Sequence, residues 1–168
     1  MRRWWLALVP ALVFQVGASE ESAETQARSL MKLPCLEIVV EKMGEEAASL
    51  VSEQELEDAT LVTLKQKLPN LKVGKVGEEC WAYLYVRLTL MLPKADNGRP
   101  LFSASHLECS LKRRARIEGL TDLNVVGVWD IGTLLLAAPP SDARKQVLGA
   151  LDHFLTSFSA DYIRAGNK

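Results

Sequence analysis

Residues 82–92 alternate with a period of two. Ala82, Leu84, Val86, Leu88, Leu90 and Leu92 face one way, and Tyr83, Tyr85, Arg87, Thr89 and Met91 face the other. One uniformly apolar side predicts a strand with a single face on the core. Residues 93–100 follow with turn chemistry, and Asn97-Gly98 is the dipeptide favoured in tight hairpins. A return strand is predicted over 101–117. Leu107, Cys109, Leu111, Ala115 and Ile117 share one side of it, and His106, Glu108, Ser110, Lys112, Arg114 and Arg116 the other.

The remaining pattern divides into short blocks. A β-branched run at 36–43 predicts a first strand, and 44–51 reads as a loop. Ser52 and Glu55 form a capping box, ahead of apolar residues at helical spacing that include Leu56, Leu61, Leu64 and Leu68. Pro69-Asn70 ends that helix. A short strand is expected at 71–76, with Leu71 and Val73 on its apolar side. Another is expected at 125–137, carrying Trp129 and Gly132. After Pro139-Pro140, Ser141 or Asp142 caps a last helix, whose stripe is Val147, Leu151, Phe154, Leu155, Phe158 and Tyr162.

The order is therefore βαββββα. It predicts a two-layer α/β domain over 35–168, a mixed sheet of about five strands with two helices on one face. Two helices cannot readily cover both faces. The face away from them is expected to display Tyr83, Tyr85 and Arg87 beside Glu108, Lys112, Arg114 and Arg116. Trp129 joins the set if its parity allows. Aromatic and arginine side chains combine contact area with polar reach. Tyr83, Tyr85, Arg87, Arg114 and Trp129 are thus the candidate partner-binding residues. The bland alternative is an ordinary polar sheet face with Tyr–Arg stacking across strands, and the Lys112-Arg113-Arg114 run serving as a strand-edge guard.

The start of the chain changes the setting. Arg2 and Arg3 precede an apolar run from Trp4 to Phe14, and Val16-Gly17-Ala18 offers the small residues of a cleavage site. Residues 1–18 read as an export signal, with an ordinary basic start favoured over a twin-arginine one. The run is shorter than the roughly 20 residues a spanning helix needs. The expected location is the periplasm or the exterior, with no membrane span after cleavage. Residues 19–34 read as a flexible lead. Loss of Arg2 and Arg3 leaves 18 basic against 21 acidic residues. That acidic balance argues against nucleic acid as a partner.

Three cysteines follow the signal: Cys35, Cys80 and Cys109. An odd number leaves at least one thiol free or intermolecular. Cys35 and Cys80 each precede a predicted strand and meet if those strands are parallel neighbours. Buried free thiols are the other reading.

Catalytic chemistry finds little support. His106 and Cys109 lie three apart on a strand and so point to opposite faces, which argues against a metal pair. Ser110 shares a face with His106 but lies roughly 13 Å away along the strand, too far for a nucleophile–base pair. His153 lies off the apolar stripe of its helix, and Glu78-Glu79 reads as a solvated turn. Gly74 and Gly77 flank a strand rather than open a helix, so they form no phosphate cradle. No cofactor, no metal and no enzyme activity are expected. An envelope hydrolase would need His106 with Glu108 or Asp130 in reach. A small-molecule carrier would need an apolar cavity of several hundred Å³.

The segment Ala82-Tyr83-Leu84-Tyr85-Val86-Arg87-Leu88 resembles a "YLYV" strand in a family of small exported bacterial proteins of unknown function. Residues 56–73, the Trp129-Asp130-Ile131-Gly132-Thr133 strand and the Phe158-Ser159-Ala160-Asp161-Tyr162-Ile163 helix are similar to the matching parts of that family. The extra cysteines and the longer hairpin at 93–100 depart from it. The element order is also similar to the amino-terminal domain of TolB and to the periplasmic part of curli-export pores. The resemblance implies an α/β docking or assembly module and transfers no catalytic residue. The expectation is a non-catalytic accessory protein that binds an envelope protein or cell-envelope component on its open sheet face.

Overall fold

The computed structural model describes residues 29–41, 43–75, 80–116 and 123–166. The expected export signal and residues 19–28 of the expected lead lie outside them. Five strands form one mixed sheet: β1 (Cys35–Val40), β2 (Lys72–Lys75), β3 (Ala82–Met91), β4 (Ser103–Arg116) and β5 (Leu123–Ala138). Their spatial order is β2-β1-β3-β4-β5. β1 runs parallel to both β2 and β3, whereas β3–β4 and β4–β5 are antiparallel. Among the described residues, three helices complete the two-layer α/β fold: α1 (Glu45–Leu50), α2 (Glu53–Lys67) and α3 (Ala143–Arg164).

α1 lies where the sequence predicts a loop. Ala47 is its one buried residue and Val51 just after it is 1% exposed, so two small contacts anchor a six-residue helix too short to show periodicity. α2 begins as expected: Ser52 Oγ accepts from the Glu55 backbone N–H at 3.1 Å. It buries Leu56, Thr60 and Leu64, one residue per turn. Thr60 is tolerated there because its hydroxyl donates to the Leu56 carbonyl at 2.7 Å. The predicted stripe of α3 is buried throughout, from Val147 to Tyr162. Arg144 of α3 pairs with Glu55 of α2.

The hairpin between β3 and β4 follows the Asn97-Gly98 signal. Gly98 takes φ +75°, the left-handed region open to glycine. Asn97 Oδ1 accepts from the Arg99 N–H at 3.1 Å, and Lys94 bridges Pro100. Along β3 the even-numbered residues from Ala82 to Leu90 are buried, and Arg87, Thr89 and Met91 are exposed.

The packed domain begins before Cys35, which corrects the lead drawn at 19–34. Leu30 and Leu33 are buried in the core. Ser29 Oγ donates to the Val128 carbonyl at 2.5 Å, and Arg113 donates to the Ser29 carbonyl at 3.0 Å. A lone pair of leucines spaced by three is too brief a pattern to separate from a polar lead.

β1 and β3 are parallel neighbours, and Cys35 and Cys80 are joined in a disulfide with Cα atoms 5.8 Å apart. Cys109 is free and buried.

Candidate functional site

The open face is built from alternate residues of β3 and β4. Tyr83 lies opposite Lys112, Tyr85 opposite Ser110, Arg87 opposite Glu108 and Thr89 opposite His106. Residues paired this way project on the same face. Antiparallel pairing thus brings the predicted tyrosines and cations together. Lys112 Nζ sits 4.0 Å from the centroid of the Tyr85 ring, and the Arg114 guanidinium sits 5.2 Å from that of Tyr83. Both are cation–π distances. The two tyrosine rings are 6.3 Å apart and tilted.

Exposure separates the predicted residues into distinct roles. Tyr83 is only 8% exposed, and its ring seats Arg114. Tyr85 is half-buried, and Arg87 and Arg114 are exposed. Arg87 is paired with Glu41 at 3.4 Å. Glu37, opposite Tyr83 on the β1 side, is buried.

Trp129 does not belong to this face. It lies opposite the buried Leu111 and so points into the helix-covered core, where it is 3% exposed. Its ring meets Phe158 edge-on at 5.1 Å, and its Nε1 donates to Asp161. The cause is a β-bulge. Leu111 pairs with Trp129 but Lys112 pairs with Gly127, so β5 spends one extra residue at Val128. That extra residue shifts the parity of everything beyond it. A second register shift, between Leu107 and Cys109, does the same further along.

Trp81 takes the place that Trp129 was expected to fill. It continues the odd-numbered series of Tyr83 and Tyr85, is 56% exposed, and its carbonyl accepts from the Arg114 N–H at 2.8 Å. The signal for it is the same period of two, extended one step before the predicted start of the strand.

The cationic run is also placed differently from an edge guard. β4 lies between β3 and β5, inside the sheet. Lys112 is paired on both sides, with Tyr83 and Gly127, where edge protection has no meaning, whereas Arg116 lies past the β3 pairing, which ends at Arg113. Arg113 points to the other face and holds the 29–31 segment.

The His106 side chain is half-buried and makes no hydrogen bond or ion pair among the described residues. Among the described residues, no three His, Cys, Asp or Glu side chains gather to hold a metal ion. A groove of about 230 Å³ is lined by Leu68, Pro69, Leu71, Tyr162 and Ile163 at the end of the helical layer. A second, of about 470 Å³, lies between Arg87 and the Glu41, Glu45 and Glu46 carboxylates. No helix among the described residues is long and apolar enough to cross a membrane.

Set against family models and against curated proteins, the sequence matches none.

Proposed function

We propose that this chain is an exported, non-catalytic binding module of the bacterial cell envelope, which docks an envelope protein or cell-envelope component on its open sheet face. The observation that carries the reading is the pair of cations, Lys112 and Arg114, held over Tyr85 and Tyr83 on an interior strand. Like charges two residues apart on one strand repel, a cost that an oppositely charged partner would offset on binding. Trp81 adds an exposed aromatic surface beside them. The basic and apolar pattern of residues 1–18 supports export to the periplasm or beyond.

The test is the double variant Tyr85→Ala/Arg87→Ala, checked for an unchanged circular dichroism spectrum. It is expected to lose the envelope association of the parent protein, measured by co-fractionation from native cells. Unchanged association in the folded variant would overturn the proposal.

A further inference from the structure

The outer edge of β5 gives the open face a second recognition element. Among the described residues β5 ends the sheet, and it is 16 residues long. The stretch Leu123-Asn124-Val125-Val126-Gly127-Val128-Trp129 carries no charge and no proline. Edge strands are ordinarily guarded by such residues, because their unpaired N–H and C=O groups invite another strand.

The direction of those groups follows from the register. The Arg114 N–H donates to the Trp81 carbonyl, so the Arg114 backbone groups face β3. Arg114 opposite Val125 is then a non-hydrogen-bonded pair of the β4–β5 ladder. The Val125 N–H and C=O therefore point outward, and those of Gly127, opposite Lys112, do the same. Beyond Gly127, the Val128 carbonyl is taken by Ser29 Oγ, which closes the stretch at the bulge.

The side-chain half of the site lies directly inward. Val125 is 54% exposed. A Cβ at Gly127 would meet nothing within 4 Å, so the face stays open between the edge and Lys112. Arg114 and Arg116 have no carboxylate partner among the described residues. An added strand would place alternate side chains beside Val125 and Gly127, on the same face as Lys112, Arg114 and Arg116.

We infer that the partner is an extended acidic peptide segment that adds as a strand to the outer edge of β5 at Val125 and Gly127, with carboxylates at every second residue reaching across β5 to Arg116 and drawing Arg114 and Lys112 off the Tyr83 and Tyr85 rings toward the edge. Main-chain pairing supplies affinity, and the cations select acidic sequences. The inference rests on the open-face reading above and names its partner.

The probe is a fluorescein-labelled Glu-Val-Glu-Val-Glu-Val peptide, read by fluorescence anisotropy against its Lys-Val counterpart. Binding of the acidic peptide alone is expected. Val125→Pro removes one outward N–H at an edge position where proline is tolerated. It is expected to weaken binding by about tenfold or more, as is Arg114→Glu/Arg116→Glu. Hydrogen exchange on the unaltered protein gives a readout independent of any variant: peptide is expected to protect the Val125 and Gly127 amides. Equal binding of the Lys-Val peptide, or no protection of those amides, would overturn the inference. So would a dimer, seen without peptide and abolished by Val125→Pro, which would assign the edge to a second copy of the chain. No peptide binding, alongside an intact Tyr85/Arg87-dependent envelope association, would refute this partner while leaving the docking face in place.

Discussion

Trp129 Nε1 donates to Asp161 Oδ2 at 3.0 Å, tying the edge strand β5 to the final turns of α3. Asp161 also accepts from Arg164 at 2.6 Å. Replacing Asp161 with Ala leaves the indole N–H of a buried side chain without this acceptor. The expected loss is about 1–2 kcal/mol, within the range for an unsatisfied buried donor. Urea unfolding measures it, and a double-mutant cycle with Trp129→Phe should return most of that loss as coupling. An Asp161→Ala variant as stable as the parent protein would show that water replaces the carboxylate at no cost.

The same residue marks where sequence reading stops working. The strands that alternate without interruption, β3 and the first part of β4, have their faces assigned correctly from period two alone, and so do the α3 stripe and the Ser52 cap. Trp129 is assigned to the wrong face because a bulge adds one residue to β5, for which Gly127, a glycine inside a strand, is the local signal. α1 escapes because six residues do not complete two helical turns. Trp81 is legible in principle, as the odd-numbered residue before Tyr83. The interior position of β4 is not, because strand order depends on pairings between distant segments.

Cys109 provides a pH test of burial. Desolvation first, and the neighbouring Glu108 carboxylate second, push its thiol from 9.0 up to about 12. The unfolded chain releases this proton near the ordinary value, whereas the folded chain keeps it. The contribution to stability is therefore complete below pH 9 and is lost as pH rises toward 12. Unfolding free energy of the parent protein should fall across that window, and that of Cys109→Ala should fall less. Cys109 should also resist thiol reagents at pH 8 until the chain unfolds. Rapid labelling of the native protein would contradict the buried placement.

The Cys35–Cys80 bridge spans 45 residues of sequence and joins the start of β1 to the residue before Trp81. Closing a loop of that length should stabilise the fold by about 2–4 kcal/mol. The Cys35→Ala/Cys80→Ala variant should show that loss in denaturant unfolding. Thiol counting under denaturing conditions should give one reactive group before reduction and three after. Three before reduction would exclude the bridge.

Export has its own readout. Cleavage after Ala18 predicts that the mature protein begins at Ser19. Intact mass of the protein recovered from the periplasm or medium tests this. A full-length mass in the cytoplasmic fraction would contradict it.

The central claim is that the sheet face opposite the helices is where a partner sits. Site-specific photo-crosslinking in the native envelope tests it most directly, with the probe at Tyr85 and at Trp81, and a control probe at Val62 of α2, which is 53% exposed on the helical layer. Tyr85 and Trp81 are expected to give the same discrete adduct, and Val62 none. Folded, correctly exported protein that gives no adduct from either aromatic position, or the same adduct from Val62, would contradict it.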